Sequence, residues 1–155
     1  TEHQIDSYEE LQLRLDAATE QRDQLSVSIK DLERQIAELT HIQKQAAIYR
    51  QYQPIYTQYQ KARDKEKFLR GHESEIILFE AAMREMKQTK VSTQLASDHT
   101  NRNRKKLEAV LNQYYQDYRK GVDTIKELLV LKQNVDLLLS NSRENKMKDK
   151  TIDVG

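Results

Sequence analysis

The chain has 155 residues with no Cys, no Trp, three Gly and one Pro, and its residues are 33% charged and 37% hydrophobic. This excludes disulfides and thiolate metal sites, leaves little turn chemistry for a β fold, and argues against a wide globular core. The net charge of +1 hides an uneven distribution: residues 1–43 carry 4 basic and 10 acidic residues, 44–106 carry 14 and 7, and 107–155 carry 8 and 8. No apolar run approaches the roughly 20 residues needed to span a bilayer, and no signal-peptide pattern is visible. A cytoplasmic protein without membrane contact is therefore expected. The chain begins with Thr1 rather than Met, as expected of a piece of a longer protein.

From Tyr8 onward, apolar residues recur at steps of three and four: Leu11, Leu15, Ala18, Leu25, Ile29, Leu32, Ile36, Leu39, Ile42, Ala46 and Tyr49. This is one face of a long helix. Ser7 and Glu10 have capping-box spacing, so the helix is expected to start at Ser7. Arg22 occupies a stripe position, where its methylenes can lie along the seam and its head reach water. Two successive steps of three at Ile36, Leu39 and Ile42 resemble a stammer; an unbroken register puts Gln43 in the seam instead. Pro54 removes one helical hydrogen bond. Because Tyr49, Tyr52, Tyr56 and Tyr59 keep helical spacing across it, a kinked helix is expected to continue to about Arg63.

A second helix is expected over 65–88, with Phe68, Leu69, His72, Ile76, Phe79, Ala82, Met83 and Met86 on one face. Thr89 to Thr93 is the expected loop, with Ser92 or Thr93 as the next cap. The third helix is expected over 93–139, its stripe being Leu107, Leu111, Tyr114, Tyr118, Gly121, Ile125, Leu128, Lys132, Val135 and Leu139, with Leu137 and Leu138 widening its apolar end. Residues 140–155 lack a sustained stripe and are expected to be a disordered polar tail.

Neither long stripe gains much stability without a partner. The expected fold is therefore all-α: an elongated antiparallel helical hairpin or coiled coil over 1–139 with a shorter middle helix. A three-helix bundle is the alternative. At about 1.5 Å per residue the two long helices are each roughly 70 to 85 Å. Antiparallel pairing would bring the chain ends together and leave the basic middle at the far tip. Whether the seam closes within one chain or in a homodimer is open.

No P-loop, dinucleotide glycine pattern or Gly-x-Ser-x-Gly elbow is present. His3, His41, His72 and His99 lack metal-ligand spacing, so no catalytic residue, metal or cofactor is expected. The basic residues carry more information. Arg50, Lys61, Arg63, Lys65, Lys67 and Arg70 accompany the tyrosine series, and Arg102, Arg104, Lys105 and Lys106 form a second cluster. Cations neutralise phosphates and aromatics stack bases, which makes these ten residues candidates for nucleic-acid binding. The simpler reading of the tyrosines is a buried helix face, and that of the cations a solvated one.

The segments IDSYEELQLRL from Ile5, LSVSIKDLERQIAEL from Leu25, IYRQYQPIYTQYQKARDKEKFLRGHESEIILFEAA from Ile48 and YYQDYRKGVDTIKELLVLKQNVDLLL from Tyr114 resemble the C-terminal helical region of relaxases. These are the mobilisation nucleases of conjugative transposons and plasmids of Gram-positive bacteria. The resemblance covers roughly Thr1 to Leu139. Its most specific part is the spacing of Tyr56, Tyr59, Lys61, Ala62, Lys67, Phe68, His72, Glu75 and Ile76. The chain departs where the family pattern has Gly-Tyr-Ser-Lys-Lys, having Arg63, Asp64, Lys65, Glu66 and Lys67 instead, so a weaker break between the first two helices is expected. The resemblance implies a non-catalytic appendage of a DNA-nicking protein, since the family's tyrosine nucleophile and metal-binding histidines belong to another domain. It also implies transfer-origin DNA, or a relaxosome accessory or secretion-coupling protein, as partner.

Overall fold

The structure, a computed structural model, describes residues 2–89 and 95–152. It is all-α, with α1 at Glu2–Lys61, α2 at Lys65–Thr89 and α3 at Leu95–Ile152, and no strand occurs among the described residues. The expected caps at Ser92 or Thr93 lie outside those residues. The chain divides into a terminal unit, comprising the chain up to Ile29 with that from Gln113 onward, and a central unit, Lys30–Asn112.

In the central unit α2 runs antiparallel to α1. Phe79 packs its ring on Tyr56 and Tyr49, with centroids 4.4 and 4.7 Å away, and Tyr59 meets Phe68 at 6.2 Å. Further along, Met86 packs on Ala46 and Ile42, and His41 stands 3.4 Å from Glu85. The buried set is Ala46, Ile76, Phe79, Ala82 and Met86. Phe79, the one aromatic residue of this set, is covered by the half-buried rings of Tyr49 and Tyr56. The first part of α3 joins this unit beside α1, where Gln35, Glu38 and Leu39 share a depression with Asn103, Lys106 and Leu107.

In the terminal unit α1 and α3 are antiparallel. Lys132 Nζ lies 5.6 Å from the centre of the Tyr8 ring, and Ala18 to Leu25 face Asp117 to Thr124. Ile29 and Ile125 are the buried apolar residues described here. Arg22 is half-buried and pairs with Asp23 at 3.1 Å, consistent with a stem along the seam and a head toward water. Every stripe position named above from Leu11 to Tyr49 and from Leu107 to Leu139 is buried or half-buried, and so are both Ile42 and Gln43.

Several sequence expectations are corrected. Ser7 lies inside α1 rather than at its cap, and Glu10 pairs with Arg14 at 2.6 Å instead of reaching back. As expected, the helix runs on through Pro54, and it ends at Lys61. Its separation from α2 is a true break: the Asp64 carboxylate accepts the Lys67 backbone N–H at 3.1 Å, and the Asp64 carbonyl accepts that of Phe68. That is an N-cap. The stretch expected to be a disordered tail continues α3 as far as Ile152. It contains no Gly or Pro before Gly155, so no strong helix breaker interrupts it. Leu137 and Leu138, expected to widen a packed end, are 61% and 54% exposed.

Candidate nucleic-acid interface

The break between α1 and α2 gathers half of the sequence candidates. Lys61 ends α1, where a cation suits the negative end of the helix dipole. Arg63 lies in the turn, and Lys65, Lys67 and Arg70 lie in the first turns of α2; all five are exposed. By helical spacing, Arg70 stands opposite the Phe68–His72 side that faces α1, and Lys67 lies at the flank of that side. Two carboxylates share the segment. That of Asp64 is turned to the cap, and that of Glu66 is 4.0 Å from Arg70. A shallow cavity of about 310 Å³ lies at the turn, lined by Ala62, Asp64, Lys67, Phe68, Gly71 and His72.

The other candidates lie elsewhere. Arg50 is exposed on α1, about three helical turns before Lys61. Arg102, Lys105 and Lys106 are exposed on α3, with Lys106 beside Glu38 of α1. From Glu38 to Lys61 α1 advances on the order of 35 Å, so the two basic clusters do not form one site. Arg104 is half-buried: its Nη2 donates to Asn101 Oδ1 at 3.3 Å, and its Nε lies 3.6 Å from Glu108. It is tied into the helix surface rather than presented to a ligand.

The tyrosines of α1 are half-buried rather than presented to solvent. Tyr49, Tyr56 and Tyr59 are in ring contact with α2, and Tyr52 is half-buried on the same helix. Two features were missed in the sequence. One is the Asp64 cap, signalled by an Asp directly before Lys-Glu-Lys. The other is His72, which breaks the helical conformation of α2 with φ −134° and ψ 28° just after Gly71. There the His72 ring packs 4.5 Å from that of Phe68, and its Nδ1 is 2.8 Å from Glu75 Oε2.

On α1, Arg34 bridges Asp31 and Glu38 at 2.7 Å each. Hydrogen bonds from Arg34 and Gln35 hold the Asp31 carboxyl below its ordinary range, and the two carboxylates raise the guanidinium of Arg34. Among the described residues no group of three or more His, Cys, Asp or Glu is placed to hold a metal ion, and no helix is long and apolar enough to cross a membrane. Set against known protein families, curated proteins and solved structures, the chain finds no significant match.

Proposed function

We propose that this chain is a non-catalytic helical module of a conjugative DNA relaxase, working in the cytoplasm and contacting transfer-origin DNA through its α1–α2 turn. The observation that carries this reading is the set of five exposed cations, Lys61, Arg63, Lys65, Lys67 and Arg70, gathered where two helices meet. The sequence resemblance adds the relaxase context. Phosphate binding of this kind weakens steeply with salt. An anisotropy titration with transfer-origin DNA is expected to show binding at low salt that is lost as salt rises, and no affinity at low salt would reject the reading. Docking of a relaxosome accessory or coupling protein on the same module would appear as a stable complex in a pull-down.

A second reading is a structural spacer or homodimerisation module with no nucleic-acid ligand. It is favoured by the terminal unit, where Leu13, Val27, Leu129, Val130, Leu131, Leu137, Leu138 and Met147 are exposed. Light scattering separates the two: a concentration-dependent dimer with no DNA affinity selects the spacer.

A further inference from the structure

We infer that the ligand of the α1–α2 turn is the phosphate backbone of duplex DNA, held by charge without base stacking. This rests on the DNA-binding reading above and narrows it. Proteins that hold single strands combine a basic groove with aromatic rings on which successive bases stack. This chain has eight Tyr, two Phe and no Trp, and none of those ten residues is exposed. At the turn itself the rings are already engaged. Tyr59 faces Phe68 and neighbours Tyr56, Phe68 faces His72, and Tyr56 lies on Phe79 at 4.4 Å. Freeing one of them for a base would open the α1–α2 core.

What the turn presents to solvent is therefore charge rather than rings: five ammonium and guanidinium groups against the carboxylates of Asp64 and Glu66. Duplex DNA carries one negative charge per about 1.7 Å of axis, more densely than a single strand. A surface that senses charge alone binds the duplex more tightly and is indifferent to its sequence. Residues 61–70 hold five basic and two acidic side chains. Three to five phosphates neutralised would give a log–log salt slope of about −2.7 to −4.5 on duplex.

The test is fluorescence anisotropy on the whole chain with a short duplex, each of its separated strands and a duplex of scrambled sequence, between about 50 and 200 mM salt. The expected result is tighter binding of the duplex than of either strand and equal binding of the scrambled duplex. The double variant Lys65→Glu/Lys67→Glu is expected to lose at least tenfold in affinity, with its helical circular dichroism unchanged. A strand bound more tightly than the duplex, a preference for one duplex sequence, or an unaffected double variant would overturn the inference while leaving DNA binding in place. No affinity for any of these DNAs at the lowest salt would instead remove the functional reading on which it stands.

Discussion

The two units are built on the same spacing of threes and fours but bury very different amounts of it. Among the described residues, the central unit hides Ala46, Ile76, Phe79, Ala82 and Met86, whereas the terminal unit hides Ile29 and Ile125 and leaves eight large apolar residues exposed. The cause lies in what stands at the seam positions. In the central unit rings face rings, Tyr49 and Tyr56 on Phe79 and Tyr59 on Phe68, while Ala46 faces Met86, so bulky apolar groups fill the space between the helices. In the terminal unit the stripe includes Arg22, Gly121 and Lys132, and a depression of about 250 Å³ remains beside Ala18, Leu25 and Gly121. Periodicity selects the face, and side-chain volume and polarity decide how much of it becomes dry.

The sharpest test of that contrast is Phe79→Ala, which empties the centre of the ring cluster and is expected to cost about 3–5 kcal/mol in urea unfolding. Leu138→Ala in the terminal unit is expected to change stability by no more than about 0.5 kcal/mol. Equal losses would erase the difference between the units. Next in size is Ile29→Ala, at about 2–3 kcal/mol. By hydrogen exchange its effect is expected in amides of residues 8–28, with those of 49–59 unchanged; equal acceleration in both would make the two units one cooperative body.

Gly121→Ala has the opposite sign. An added Cβ meets no atom within 4 Å, so the helix-propensity gain of about 1 kcal/mol should appear as a raised urea midpoint. A loss would mean the seam is tighter there than its geometry indicates. Asp64→Ala removes the cap and is expected to cost about 1 kcal/mol, while Asp64→Asn is expected to restore most of it. The smallest effect is that of Asp31. Its folded-state pKa lies below the ordinary 3.8 because Arg34 and Gln35 hydrogen-bond the ionised form. The contribution is present above that ordinary value and is lost as pH falls through the folded-state value. Carboxyl NMR titration should show the lowered midpoint, and Arg34→Ala should return it toward normal.

Most of the fold was legible because a helix face repeats over many residues, and such patterns survive a local exception. The stripes from Leu11 to Tyr49 and from Leu107 to Leu139 belong to this class. Single-residue features were less legible. Ser7 and Glu10 have cap spacing, but nothing in those two residues reveals that the helix has already begun. The end of α3 carries no apolar stripe, and the absence of Gly and Pro before Gly155 is a weak signal that the element continues. At the candidate site, the exposure of Lys61 to Arg70 follows from charge at a break. The sequence could not separate rings that stack on each other from rings free to stack on a base, because both uses need the same residues. Nor could it keep Arg102–Lys106 apart from the turn, since that separation depends on where α2 returns along α1.

The interruption at His72 has a mechanical meaning. An unbroken α-helix is stiffened by its run of backbone hydrogen bonds, and at His72 the backbone of α2 departs from helical φ and ψ for one residue. Beside the continuous main chain, the Phe68–His72 ring contact and the His72–Glu75 bond tie the opening turns of α2, with Lys65, Lys67 and Arg70, to the rest of the helix. These two side-chain contacts brace the cationic end alongside the peptide chain itself and the Tyr59–Phe68 contact, and substitution of Glu75 removes one brace without removing a positive charge.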